Sequence, residues 1–215
     1  MAKARQLDKR RRSIRNIRKI TRTMELISTA RFKRAMDRAA AATAYTDRIT
    51  AMVGHLAKSG QDISHPLLET RESTENATLL VLTANRGLCG GYNAGVMRIA
   101  LARWREFDEL TGRTRLEVSG KRGISAFRFR KIQPDERFLD FEDRPAFDDV
   151  RRLADGYLDA YQAGRLDRLD VAYTKFESLS RQRAIVETLL PLSQLAAGEE
   201  EEGSVGAASE YEFLP

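Results

Sequence analysis

The sequence predicts an α/β protein in two parts: a long protruding N-terminal helix, and a domain built on a mainly parallel sheet. Three observations predict it. Fourteen Lys and Arg stand against only three acids (Asp8, Glu25 and Asp37) between Met1 and Arg38, a net +11 in a chain whose total is +6. The first Gly is Gly54 and the first Pro is Pro66, so nothing local breaks a helix for about fifty residues. Beyond residue 77, short apolar runs rich in β-formers alternate with helical periodicities.

The elements follow in order. Ile14, Ile17, Ile20, Met24 and Ile27 recur at steps of three and four, which sets them on one face of a helix whose other faces are cationic. At roughly 1.5 Å per residue such a helix is about 75 Å long. It must project and bury its stripe against something else. The small residues of Ala39–Ala44 allow close helix approach, and Ile49, Met52, Val53 and Leu56 form a second stripe. Ser59-Gly60 is a stop, giving a helix over 1–58. Residues 59–77 hold Pro66, Glu69, Arg71, Glu72 and Glu75 and read as a linker. An α/β domain over 78–192 follows.

Within it, Thr78–Thr83 is a buried strand and Arg86–Gly91 (R-G-L-C-G-G) a turn. Ala94–Leu110 carries Val96, Ile99, Ala100, Trp104 and Phe107 at helical spacing. Arg115–Ser119 is a strand closed by Gly120, Ile124–Arg130 a short helix and Arg137–Phe141 a weak strand. Pro145–Gly164 is a helix with Pro near its start and Gly at its end. Leu169–Lys175 and Ala184–Leu190 are two last strands. This order gives a mainly parallel sheet with covering helices, closed by a hairpin-like pair. Residues 193–215, acidic at Glu199–Glu202 and then rich in small residues, read as a flexible tail.

Composition narrows the function. A hydrophobic content of 42% supports a core, and 32% charged residues fit an exposed helix. The single Cys89 excludes an intrachain disulfide. No run of eighteen apolar residues exists. The basic start lacks the apolar stretch of a secretory signal. It shares its Arg-rich, acid-poor character with mitochondrial transit peptides, which are shorter and richer in Ser.

The Gly-rich turn after the first strand has the place of a phosphate-binding loop, but its spacing fits neither G-x-G-x-x-G nor a P-loop, and no Lys follows. Arg86, Gly87, Cys89, Gly90 and Gly91 therefore read as a structural turn, with the glycines serving close helix–sheet packing and Cys89 as a small buried residue. His55 and His65 are the only histidines, so neither a base for Cys89 nor a zinc ligand set is in view. Asp140, Glu142, Asp143, Asp148 and Asp149 read as a solvated face. No catalytic, cofactor-binding or metal-binding residue stands out. The basic helix itself has three readings: nucleic-acid phosphates, an anionic membrane surface, or a partner helix with an acidic protein surface around it. Its length, near-heptad steps and Ala cluster favour the protein partner.

Six segments, in order, resemble one family. I-R-N-I-R-K-I-T-R-T-M-E-L-I-S-T-A-R-F-K-R-A (Ile14–Ala35) closely resembles the opening helix of the γ subunit of F-type ATP synthases. L-T-A-N-R-G-L-C-G-G-Y-N (Leu82–Asn93) is similar to the stretch after the first strand of that family's α/β domain. Ser64–Glu69, Ala163–Leu169, Thr174–Phe176 and Glu187–Leu192 also match.

The resemblance implies a central-stalk rotor with no cofactor and no catalytic residue of its own, in which the N-terminal helix is half of an antiparallel coiled coil beside a Rossmann-like α/β domain. It implies α and β subunits, ε and the c-ring as partners, no nucleic acid, and a peripheral place at the cytoplasmic face of a bacterial plasma membrane. Ile14, Ile17, Ile20, Met24 and Ile27 would then face the partner helix. Arg10, Arg11, Arg12, Arg15, Arg18, Lys19, Arg22, Arg31, Lys33 and Arg34 would meet the α/β ring. The family continues past the Tyr211-Glu212-Phe213 stretch into a long C-terminal helix, so this sequence is expected to be a truncated or split form whose stripe self-associates or takes a second polypeptide.

Overall fold

A computed structural model describes residues 2–58, 65–67, 71, 73–111, 113–141 and 145–192. The expected flexible tail over 193–215, the Ser59-Gly60 stop and much of the 59–77 stretch lie outside the described residues. The chain divides into two compact units, Met1–Thr50 and Ala51–Pro215.

The first unit is helical. Helix α1 runs Ala2–Lys58, 57 residues without a break, consistent with the absence of Pro from this span; Gly54 is accommodated inside it.

The second unit holds a five-stranded sheet. Its elements are β1 (Ala77–Leu82), α2 (Tyr92–Thr111), β2 (Thr114–Ser119), α3 (Lys121–Phe129), β3 (Glu136–Phe138), α4 (Phe147–Gln162), β4 (Arg168–Phe176) and β5 (Gln182–Leu190). The strand order is β3-β2-β1-β4-β5. β1 pairs in parallel with β2 (Leu79 opposite Leu116) and with β4 (Leu80 opposite Val171), and β5 returns antiparallel to β4. The weak third strand is shorter than expected, three residues in place of five.

The central strand is buried on both faces, and its alternation sorts side chains between two cores. Ala77, Leu79 and Val81 join Val96, Met97, Ala100 and Phe107 of α2 and Phe127 of α3. Leu80 points the other way, with Leu169, Val171 and Leu190, against Tyr161 of α4. Fully burying each such side chain is worth about 1.5–3 kcal/mol, which is why T-L-L-V-L is a continuous apolar run rather than an alternating one.

Two helix ends are closed by paired backbone bonds of the Schellman type. After α4, Arg165 N donates to Ala160 O at 2.9 Å and Gly164 N to Tyr161 O at 3.1 Å, with Gly164 at φ 70°. After α3, Ile132 N donates to Phe127 O at 3.1 Å and Lys131 N to Arg128 O at 3.0 Å. There the left-handed position is Lys131, at φ 61°.

The chain leaves β1 toward β2 and β3 and then crosses back to β4. The carboxyl ends of β1 and β4 are therefore the switch point of the sheet, where open α/β folds commonly hold ligands. The Gly-rich turn sits there.

Candidate functional site

Two features carry the sequence argument: the cationic, striped face of α1 and the turn after β1.

On α1 the stripe is real and uncovered. Ile14, Ile17, Ile20, Met24 and Ile27 are all exposed, from 43% for Met24 to 60% for Ile20. Ile49 and Met52 are exposed too. The cations around the stripe are mostly unneutralised. Arg11 pairs with Asp8 at 2.9 Å and Arg22 with Glu25 at 2.8 Å, both one turn apart on the same helix. Arg34 Nε donates to Ala30 O at 3.3 Å. Among the described residues Arg10, Arg12, Arg15, Arg18, Lys19 and Lys33 have no acidic partner. Exposed pairs of this kind add little to stability, about 0–1 kcal/mol each. This charge is arranged for something outside the helix.

The turn after β1 is stitched by two asparagines that the Gly-centred sequence argument passes over. Asn93, at the start of α2, accepts from Ala84 N at 2.9 Å through Oδ1 and donates from Nδ2 to Cys89 Sγ at 2.9 Å. Asn85 donates to Phe141 O at 2.9 Å and accepts from Lys121 N at 3.0 Å. Together they tie β1, α2, α3 and the exit of β3 to one loop. Thr83 Oγ1 adds a bond to Ser119 O at 2.7 Å and accepts from Gly123 N at 2.9 Å. Behind it Gly120, at φ 99°, would bring a Cβ within 2.1 Å of Thr83 O, so only glycine fits.

Two expectations about this turn are corrected. Cys89 is exposed, not buried. Its neighbours Leu88 (φ 62°) and Gly90 (φ 57°) both take the left-handed backbone, and Leu88 is 90% exposed. Gly90 and Gly91 also serve no close packing, because a Cβ at either would meet nothing within 4 Å. Gly90 is there for its backbone angle. Only Gly87 permits a close approach, with the Arg122 guanidinium 2.6 Å from where its Cβ would lie. Arg86 is exposed on the same loop.

Among the described residues, no three His, Cys, Asp or Glu are grouped to hold a metal ion. Asp140, Asp148 and Asp149 are exposed, as a solvated face requires, while Glu142 and Asp143 lie outside the described residues. The notable acids are elsewhere. Asp170 on β4 is fully buried, 2.6 Å from Arg103 Nε of α2 and 2.9 Å from Arg168 Nε. Thr188 of β5 donates to it at 2.9 Å. The Arg103 guanidinium also lies 4.4 Å from the centre of the Phe107 ring. Glu117 on β2 is buried beside Arg115, at 2.8 Å, and accepts from Tyr157 of α4. Burial pushes the Glu117 carboxyl above the usual range, against the pull of Tyr157 and Arg115. Burial and the Glu117 contact push Tyr157 strongly up. These groups join helices to the sheet. The hint in the sequence was an acid inside each apolar strand run, R-L-D-V-A-Y and T-R-L-E-V-S.

The sequence profile of the family described as ATP synthase matches residues 3–215. The ATP synthase gamma chain of Rhodopirellula baltica is 58% identical over 217 aligned residues, covering all of this chain and 73% of that one. The chain belongs to the ATP synthase gamma chain family. The gamma chain of Gemmatimonas aurantiaca is 35% identical over 193 residues, which cover 90% of this chain and 67% of that one. Among solved structures, the central stalk and c-ring of Tetrahymena thermophila mitochondrial ATP synthase aligns at TM-score 0.46 with 17% identity, covering 74% of this chain and 80% of that one. Nothing in the fold or in these gamma-family relatives favours the nucleic-acid reading of the basic helix. No described helix is long and apolar enough to cross a membrane.

Proposed function

We propose that this gamma-family chain is a rotor part of an F-type ATP synthase, passing torque between the membrane sector and the ring of α and β subunits while catalysing no reaction itself. The observation that carries it is the uncovered apolar stripe of α1 within a cationic surface, on a chain 58% identical throughout to a gamma chain. Ile14, Ile17, Ile20, Met24 and Ile27 are the face for an antiparallel partner helix. Arg10, Arg11, Arg12, Arg15, Arg18, Lys19, Arg22, Arg31, Lys33 and Arg34 face acidic loops of the α/β ring. Hydrated charge contacts suit a turning shaft, because each is weak and none fixes one angle. The stitched turn of Arg86, Gly87, Cys89, Gly90 and Gly91 is a structural corner of the α/β unit. The ε subunit and the c-ring complete the partner set, at the cytoplasmic face of a bacterial plasma membrane.

The test is co-expression with cognate α and β subunits. The complex is expected to copurify, and Arg10→Glu/Arg11→Glu/Arg12→Glu is expected to weaken it about tenfold or more. No copurification, or tight and steeply salt-dependent binding to duplex DNA instead, overturns the reading.

A further inference from the structure

We propose that the groove between α2 and α3 is a docking site for an acidic amphipathic helix of a partner protein. Its lining residues belong to the α/β unit, and the proposal does not rest on the rotor reading.

The groove has a volume of about 510 Å³ and is lined by Arg98 and Arg105 from α2, by Arg122 from α3 and by Arg130 just past the end of α3. Its floor is apolar, with Met97, Leu101 and Ala126. The spacing makes two facing rows. Arg98 and Arg105 are roughly 10 Å apart along α2, and Arg122 and Arg130 about 12 Å apart along α3.

Several other arginines of this unit are paired with acids. Arg103 and Arg168 hold Asp170, Arg115 holds Glu117 and Glu136, and Arg71 holds Asp167. The four groove arginines have no acidic partner among the described residues, and α3 carries no acid at all. Arg130 reaches only the Ala126 carbonyl, at 3.1 Å. Four cations without an acidic partner on the lining of one apolar-floored groove favour an anionic surface as its cover.

The spacing selects the occupant. A phosphate or sulfate ion spans less than one helical turn, about 5.4 Å, and cannot reach both ends of either row. A nucleic-acid backbone would meet the charge but leave the floor empty. An amphipathic helix places apolar residues at i, i+3, i+4 and i+7 on the floor and carboxylates on both flanks. The chain's own Glu199–Glu202 run does not fit. Its four acids are consecutive, flanked by Gly198 and Gly203, with no apolar residue among them.

The probe is a synthetic eighteen-residue peptide with Leu on one helical face and Glu on its flanks, titrated against the full chain by fluorescence anisotropy. A shuffled peptide of the same composition is the control. The amphipathic peptide is expected to bind at least tenfold tighter than the shuffled one. Arg98→Glu/Arg122→Glu is expected to abolish that difference, and Arg10→Glu/Arg11→Glu/Arg12→Glu on α1 to preserve it. A peptide with Lys in place of Glu is expected to regain binding to the Arg98→Glu/Arg122→Glu chain. Unchanged thermal melting checks the fold, and Arg98→Gln/Arg122→Gln serves if the reversal unfolds the protein. Equal binding of the shuffled peptide, or equal loss with the α1 variant, overturns the proposal.

Discussion

Helix α1 and the α/β unit use the same ingredients to opposite ends. Both set apolar residues at helical spacing among many charges. In the α/β unit, Val96, Ala100 and Phe107 of α2 meet Leu79 and Val81 of β1 and are buried, and the inward charges of Arg103 and Asp170 meet each other. On α1, Ile14, Ile17 and Ile20 are exposed, and most cations beside them have no acidic partner among the described residues. The difference separates stability from recognition. One pattern is satisfied within the α/β unit, and the other meets no covering surface among the described residues.

Matched truncations give the largest expected effect. Leu79→Ala removes a fully buried side chain from the central strand and is expected to destabilise by about 2–5 kcal/mol in urea unfolding. Ile17→Ala removes the same bulk from an exposed position and is expected to stay within about 0.5 kcal/mol. A cost above about 1 kcal/mol for Ile17→Ala would break the contrast, since it would mean that the stripe is already covered, by self-association or otherwise. Measuring at two protein concentrations separates those cases.

The charges should divide in the same way. Asp170→Ala takes the buried acid from Arg168 and leaves Arg103 only its more exposed pair with Glu106, and breaking a buried pair from one side costs about 3–5 kcal/mol. Both arginines keep some solvent access, so the lower end, about 3 kcal/mol, is expected. Asp8→Ala on α1 breaks the exposed Arg11 pair and is expected to change stability by less than about 0.5 kcal/mol. Equal costs for the two would show that the Asp170 network is as well hydrated as the helix surface.

The contrast also explains what could be read from the sequence. The long helix, the five strands and the parallel-then-hairpin order were legible, because apolar period and the placement of Gly and Pro are local signals. The α1 stripe was legible for the same reason. The turn was only half legible. R-G-L-C-G-G announces a turn, but the bonds that hold it come from Asn93, which reaches Ala84 and Cys89 nearby, and from Asn85, whose partners Phe141 and Lys121 are distant in sequence. Cys89 was misplaced because a small residue between glycines suggests burial, whereas left-handed angles at Leu88 and Gly90 leave it in solvent. The Arg rows of α2 and α3 were invisible, since charges on two helices form a groove only after the sheet has aligned them.

A smaller effect compares two helix ends within the α/β unit. Gly164 and Lys131 hold the same left-handed position after α4 and α3, but only glycine does so without a Cβ clash. Lys131→Gly is expected to stabilise by up to about 1 kcal/mol, the strain relieved being partly offset by the greater freedom of glycine in the unfolded chain. Thermal melting checks it. A loss of stability would show that the Lys131 side chain contributes a contact worth more than the strain.

The smallest expected effect depends on pH and concerns the buried Glu117. Burial raises the Glu117 carboxyl above its ordinary value of 4.5, while Tyr157 and Arg115 pull it down and Glu136 and Asp135 push it up. An acid whose folded value lies above its unfolded value holds its proton more tightly when folded. Its contribution is therefore fully present below the unfolded value and is lost as pH rises through the folded one. Glu117→Gln keeps an oxygen to accept from Tyr157 and cannot ionise. The stability of the unmodified chain minus that of Glu117→Gln is expected to fall as pH rises from the ordinary glutamate value through the raised folded one, then level off. A difference for Glu117 that rises with pH would mean that the Arg115 and Tyr157 contacts outweigh burial, and that this acid is held as a charge, like those on the surface.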